Sequence, residues 1–376
     1  MSRALLLVYL ASFGALASFN LMLGITPLYA LDAGESDLSA ALTSTVFMLA
    51  TVAGELVTNA VMRRIGQQRT LALGIALMCL PVFVLLASNA LPVILGVSVV
   101  RGLGFAFVLI AGASMVGALS DATRHGRSLA IYGVVVGVPA IVALPFGVWL
   151  VDQVGFVPLF IGSGLIAVLA VPVLLARLEL PAPDELHGLL RTLRHPGVLR
   201  YALIFASSTF AYGVLITWAP IVGGAVHNAG NAALALFAFG ASSTAARWVA
   251  GQIGDRRSPT ILLAPALVIA ATGLVVTALL PSVMIVGALV FGIGLGFLQN
   301  STLQLMFSVA GPSGYGSASA IWNIAYDVGL AAGALAFGLM ASSYWLSLVV
   351  SAAIVIAAIA LVRRSGSSAS SQVTVG

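Results

Sequence analysis

The chain is 376 residues long, 61% of them hydrophobic and only 7% charged. A soluble domain carries about 25% charged residues. This composition therefore excludes a water-facing globular protein and makes lipid the solvent for most of the surface. The net charge of +5 is informative through where the charges fall, not as a sign of nucleic-acid binding.

Apolar runs long enough to span a bilayer, roughly 17–25 residues, recur along the whole chain. They lie near 5–30, 39–62, 70–88, 91–118, 128–150, 156–176, 200–223, 232–252, 260–280, 283–308, 317–341 and 344–362. Twelve helices are expected, because only closed hydrogen bonding survives in hydrocarbon. The first run follows Arg3 and could be taken for a secretory leader. It is longer than the roughly 7–15 apolar residues of a leader, and many such runs follow it, so it reads as the first membrane helix. The longest connector holds Pro181, Pro183, Asp184, Glu185, His187 and His195. Its two histidines read as solvated loop residues. The expected organisation is an N-terminal six-helix bundle (1–176), a cytoplasmic central loop (177–199), a C-terminal six-helix bundle (200–364) and a Ser-rich disordered tail (365–376).

All sixteen basic residues are arginines. Arg3, Arg63, Arg64, Arg69, Arg124, Arg127, Arg177, Arg191, Arg194, Arg200, Arg256, Arg257, Arg363 and Arg364 fall before helix 1, in the even-to-odd connectors or after helix 12. The opposite loops hold none, and the first of these carries Asp32, Glu35 and Asp37 instead. Arginine excess marks the cytoplasmic side, so both termini are expected inside. The lack of lysine and the abundance of Ala, Gly and Val suggest a GC-rich prokaryotic genome, hence a bacterial cytoplasmic (inner) membrane.

The sole cysteine, Cys79, has no disulfide partner and no metal-ligand neighbours. It reads as a small core hydrophobe. No Ser/His/Asp set, HExxH motif, cysteine cluster or nucleotide-binding domain is visible, so no enzyme activity, cofactor or metal is expected. Gly102-Leu-Gly, Gly292-Ile-Gly-Leu-Gly296 and Gly329-x-x-x-Gly333 lie within apolar helices and read as close-packing surfaces, not phosphate loops.

The two halves repeat. An offset of 192 residues places Gly251–Ser258 on Asn59–Gly66, Arg247 on Glu55, and Gly294-Leu-Gly-Phe297 on Gly102-Leu-Gly-Phe105. A slightly smaller offset pairs Ala130-Ile131 with Ala320-Ile321 and Phe146-Gly147 with Phe337-Gly338. Three successive agreements make a parallel duplication the better reading.

Several motifs sit on this frame. The loop after helix 8 contains Gly251-x-x-x-Asp255-Arg256 followed by Arg257. The loop after helix 2 keeps Arg64, Gly66 and Arg69 but has Asn59 and Arg63 where the other has Gly and Asp. Helix 4 carries Arg101-Gly-Leu-Gly-Phe-Ala106, and helix 5 carries Gly133-x-x-x-Gly137-Val-Pro139. Together these resemble the major facilitator superfamily over essentially the whole chain, in particular its bacterial twelve-helix drug and sugar efflux antiporters. The helix 5 motif lacks the further glycines of the antiporter pattern. The resemblance implies an all-α membrane protein of twelve transmembrane helices in two pseudo-symmetric bundles around a central cavity. It also implies that each charged loop docks under the other half when the cytoplasmic side closes. Asp255 would then face the positive end of helix 5 near Ser128, while Arg63 would face the same kind of helix end near Ser317, where a cation is disfavoured. The loop at Gly251–Arg257 is therefore expected to be the dominant gate.

A charge in the bilayer interior costs at least about 2.5–3.5 kcal/mol on insertion scales. Glu55, Arg101, Arg247 and Asp327 bear that cost. Asp327 and Glu55 are the candidates for proton coupling, with a structural hydrogen bond or pairing with loop arginines as the alternative. Arg101 stays charged, and could hold an anionic group or modulate a carboxylate. Arg247, two turns before Asp255, suits a gating role. Polar and aromatic residues on helices that the resemblance places around a cavity are Asn20, Tyr212, Trp218, Gln299, Asn300, Gln304, Trp322, Asn323 and Tyr326, with interhelical bonding as the alternative for each. The expected function is proton-coupled efflux of a small organic compound, with a small molecule, protons and the lipid bilayer as partners, no nucleic acid, and a monomeric state. Proton-linked uptake or uniport of a nutrient is the alternative, and a non-transporting membrane receptor or assembly subunit is the alternative of a different class.

Overall fold

A computed structural model describes residues 3–120, 125–176, 178, 180, 189–223, 229–254, 256–279, 281–311, 314–340 and 343–362. Among them are twelve helices long and apolar enough to cross a membrane, and no strand. They are α1 (Arg3–Asp32), α2 (Asp37–Ile65), α3 (Gln67–Leu86), α4 (Leu91–Leu119), α5 (His125–Val154), α6 (Phe156–Leu175), α7 (Pro196–Trp218), α8 (Ala229–Gly254), α9 (Thr260–Leu279), α10 (Met284–Ala310), α11 (Tyr315–Leu339) and α12 (Tyr344–Val362). The expected spans agree in number and order and differ by a few residues at their ends.

Local chemistry sets several of those ends. Ser36 caps α2 by accepting from Ser39 N–H at 3.2 Å, satisfying one of the donors a helix start leaves open. His195 caps α7 in the same way, its Nδ1 accepting from Gly197 N–H at 3.2 Å. Between α2 and α3 the chain turns on Gly66 at φ 86°, a region open to glycine without a Cβ clash. Arg63 and Arg64 are exposed in the last turn of α2, where cations suit the negative helix end. Pro81 removes a backbone donor, and from Leu80 to Leu86 the helix tightens to 3-10 geometry. After Trp218, around Pro220, α7 widens into a π turn at Ala219–Gly223.

The chain divides into two compact units, residues 1–185 with 224–233, and 186–223 with 234–376. In the first, α4 packs along α2 and α3, and α1 packs along α5. In the second, α10 packs along α9, and α7 along α11. Large side chains such as Leu56, Val134, Leu175, Trp248 and Leu339 are exposed, as expected of surfaces that face acyl chains.

Glycines make the closest helix contacts, and they fix the register of the repeat. A Cβ on Gly102 would collide with the Phe47 carbonyl, and one on Gly292 would lie 2.5 Å from the Phe239 carbonyl. A Cβ on Gly104 would lie 2.7 Å from Gly74 O and Met78 N. On Gly294 it would lie 2.7 Å from Ala266 O and 2.5 Å from Ala270 N. Phe47 and Phe239, Gly74 and Ala266, and Met78 and Ala270 are each 192 apart, but the facing glycines are 190 apart. The expected pairing of Gly102-Leu-Gly-Phe105 with Gly294-Leu-Gly-Phe297 is therefore corrected. Its structural counterpart is Gly292-Ile-Gly-Leu295, which starts two residues before the four-residue identity. The same offset of 190 pairs Ala130-Ile131 with Ala320-Ile321, while Phe146-Gly147 and Phe337-Gly338 are 191 apart. The packing role expected for Gly329 and Gly333 holds as well, since each abuts the backbone of α7 at Ala206 or Phe210.

Candidate functional site

In the first unit, Arg101 lies ten residues into α4, about 15 Å along the axis, and is 3% exposed. Its Nη2 donates to Ser18 O on α1 at 3.3 Å. Its Nη1 is buried with no partner among the described residues. The thiol of Cys79 on α3 lies within electrostatic reach of it. Ser18 Oγ also meets Ser163 Oγ of α6 at 2.6 Å, with both side chains fully buried. Cys79 is fully buried, as expected, but its place beside Arg101 and Ser18 was not legible from an isolated cysteine. Arg101 also lines a cleft between α1, α2 and α4, bounded by Phe19, Thr43, Ser44, Phe47 and Ser98. The cleft holds about 320 Å³ of empty space counted with its open mouth.

The corrected register gives Arg101 a counterpart, Phe291. In the second unit Tyr212 stacks on Phe239 at 4.8 Å, and Phe239 on Phe291 at 5.6 Å. In the first unit Phe19 stacks on Phe47 at 5.2 Å, but a guanidinium stands where the third ring would follow. Phe105 fills the other side of that pair, 4.1 Å from Phe19.

Glu55 is buried, and its Oε2 has no hydrogen-bond partner among the described residues. Because α2 continues to Ile65, Glu55 lies ten residues, about 15 Å, from the helix end, deeper than the apolar run implied. Asn20 is buried and donates from Nδ2 to Leu16 O of its own helix at 2.8 Å. Gly133 and Gly137 of α5 have nothing within 4 Å of a Cβ position, unlike the packing glycines, while Pro139 is buried.

In the second unit, Asp327 lies twelve residues into α11 and is 3% exposed. Its neighbour Tyr326 is within electrostatic reach of Asp327, Tyr212 and Arg247, so α7, α8 and α11 bring four predicted residues together. The equivalents Glu55 and Arg247 differ in setting, because Glu55 is buried whereas Arg247 is exposed. Around Tyr326 runs an aromatic group. Trp322 stacks on Phe205 at 4.4 Å, and Tyr326 lies 6.1 Å from Tyr212. Trp322 Nε1 donates to Thr302 Oγ1 at 3.2 Å. Gln299 and Asn323 are half-buried, and Trp218 is buried with its Nε1 unpartnered among the described residues. Phe205, Phe239 and Phe291 were missed because an apolar ring in an apolar helix carries no distinguishing signal.

Asn300 and Gln304 lie beside the glycines of the loop motif. Gln304 Nε2 donates to Asn300 Oδ1 at 2.6 Å. Asn300 lies 3.6 Å from a Cβ position on Gly251, and the Gln304 carboxamide occupies the space a Cβ on Gly254 would need. Arg256 and Arg257 are exposed. Asp255 lies outside the described residues. Gln68, next to the other loop, donates through Nε2 to Val173 O and Leu174 O, and its Oε1 accepts from Leu178 N–H.

Among the described residues no three His, Cys, Asp or Glu side chains converge as a metal site. Twelve spanning helices in two internally repeated units, with buried charges at mid-depth, define a multi-pass membrane protein of the transporter class. The sequence matches the model of the Major Facilitator Superfamily over residues 7–334, and the chain belongs to that family. Solved structures agree in fold. A bacterial homolog of the human lysosomal transporter Spinster, inward-facing and occupied, is similar with a TM-score of 0.76 at 15% identity, over 96% of each chain. The nucleoside transporter NupG has a TM-score of 0.75 at 13% identity, over 96% of this chain and 99% of its own. A POT family transporter in complex with a thioalcohol-conjugated peptide has a TM-score of 0.74 at 12% identity, over 95% and 94%. A search of curated proteins finds no match.

Proposed function

We propose that this transporter exports a small organic compound in exchange for protons, by alternating access, as a monomer in a bacterial cytoplasmic membrane with both termini inside. It performs no covalent reaction on its cargo. The observation that carries this reading is Asp327, a carboxyl buried at the middle of α11 and within electrostatic reach of Tyr326. A gradient does work only if proton binding differs between the two access states. A buried carboxyl supplies such a difference, because its charge is costly where it is sealed from water and tolerable where it is wetted. Glu55 is the second such group. The N-terminal bundle, the central connector and the C-terminal bundle divide the work as the sequence suggests, and the loop at Gly251–Arg257 gates the cytoplasmic side.

The test is transport in proteoliposomes under an imposed pH gradient, with compounds first selected by thermal stabilisation of the purified protein. Asp327→Asn should retain counterflow and lose gradient-driven accumulation. Full gradient-driven accumulation by that variant sinks the assignment. Proton-linked uptake or uniport is the second reading, and the open surroundings of Gly133 and Gly137 favour it, because the antiporter-like motif then marks no close helix contact.

A further inference from the structure

Arg101 is a buried cation with no described carboxylate. One guanidinium nitrogen reaches a backbone carbonyl, one is unbonded, and the neighbouring ionisable group is a thiol. A desolvated charge left without a counter-ion is among the least favourable arrangements in a protein, so it calls for a partner that comes and goes. Arg101 lines a cleft, so a partner has somewhere to sit. Of the cleft's hydroxyls, those of Thr26, Thr43 and Ser98 donate to Met22 O, Ala40 O and Ile94 O of their own helices at 2.7, 2.7 and 2.9 Å, and Arg101 is the charged residue of the lining. Phe19 and Phe47 form an apolar wall. The second unit, by contrast, fills the equivalent place with Phe291, fully buried against Phe239. Packing alone is thus satisfied by a ring at this position, and the first unit instead holds a cation and a gap.

We propose that this cleft receives the anionic group of the cargo, so that the transported compound is an organic monoanion of the aryl-carboxylate or aryl-sulfonate class. Its charge pairs with Arg101, and its apolar body lies on the rings of Phe19 and Phe47. The cleft takes a head group, not a whole molecule, in the state described. This rests on the reading above that the cargo is a small organic compound. Guanidinium suits the role, because its fork matches a carboxylate or sulfonate in two parallel hydrogen bonds.

The experiment compares three near-isosteric probes, benzoate, neutral benzamide and cationic benzamidine, at constant chloride and ionic strength. Protection of the purified full-length protein against thermal unfolding gives apparent affinities. Benzoate should bind about tenfold or more tightly than benzamide, the scale of a hydrogen bond to a charged group, and benzamidine should give no protection. Arg101→Gln should bring benzoate down to the benzamide level, and Arg101→Lys should fall between. The comparison of probes on the unaltered protein stands even if Arg101→Gln does not fold. Equal protection by benzoate and benzamide, preference for benzamidine, or unchanged benzoate affinity in a folded Arg101→Gln each overturns the proposal. Benzoate protection with flux indifferent to a pH gradient would overturn proton coupling and leave this site standing. Gradient-driven flux of a neutral or cationic compound without benzoate protection would do the reverse.

Discussion

The register of the internal repeat makes a quantitative prediction about four glycines. Gly104→Ala places a methyl group 2.7 Å from Gly74 O and Met78 N, and Gly294→Ala places one 2.5 Å from Ala270 N and 2.7 Å from Ala266 O. The obstructing atoms are backbone, so no rotamer change relieves the contact and the helices must part. Overpacking of this kind costs about 1–3 kcal/mol, against at most about 1 kcal/mol gained by replacing glycine with alanine in a helix. In a unit of this size about 1 kcal/mol moves a melting midpoint by roughly 2–4 °C, so losses of several degrees are expected. Gly102→Ala and Gly292→Ala should behave as a second matched pair. Gly133→Ala and Gly137→Ala have nothing within 4 Å, so only the propensity gain applies and the midpoint should hold or rise. The assay is thermal unfolding of each purified variant in one detergent. Midpoints for Gly104→Ala and Gly294→Ala at or above that of Gly133→Ala would refute the contact argument and the register built on it.

Ser18→Ala strands the fully buried Ser163 hydroxyl and should cost about 1–3 kcal/mol; Ser18→Ala with Ser163→Ala should cost less than the two single losses added, and strict additivity in a melting cycle would deny the bond. Gly254→Ala should expel the Gln304 carboxamide and break its bond to Asn300. Measured as maleimide labelling of a cysteine at position 257 in a Cys79→Ala background, it should change accessibility of the loop, and Gln304→Ala should cancel the effect; no change in the single variant removes Gln304 from the proposed gate.

How much was legible follows from which physics each feature uses. Span number and order are written in hydropathy, which lipid enforces residue by residue, so the structure moved only the helix ends. Charged residues at depth stand out for the same reason, and Glu55, Arg101 and Asp327 are all buried. Register between helices is set by backbone approach at glycines. In a chain with forty glycines, a local identity such as Gly-Leu-Gly-Phe is weak guidance, and it misplaced α4 on α10 by two residues. Asn300 and Gln304 read as cavity residues because polar residues in an apolar helix must face inward. That argument fixes a direction, not a neighbour, and the neighbours here are Gly251 and Gly254.

The two proposed ligands of the cycle, a proton and an organic monoanion, together fix its electrical character. If one proton enters for each monoanion that leaves, two elementary charges move in the direction favoured by an inside-negative membrane. Each charge is worth about 2.3 kcal/mol per 100 mV, so at that potential about 4.6 kcal/mol is available without any pH gradient. At about 1.4 kcal/mol per factor of ten, this supports a cargo ratio above a thousandfold. A neutral cargo exchanged for one proton has half the energy and reaches only roughly fiftyfold on the same scale. The distinction is measurable in proteoliposomes whose potential is clamped by valinomycin and potassium at equal pH on both sides, using the aryl anion that protects the protein. Doubling the potential should square the limiting ratio, and the slope should correspond to two charges. A ratio insensitive to potential would mean that the anion travels with its proton, as electroneutral symport, and the exchange stoichiometry would fall. Arg101 and Asp327 would then serve one and the same step, cargo binding, and not opposite halves of the cycle.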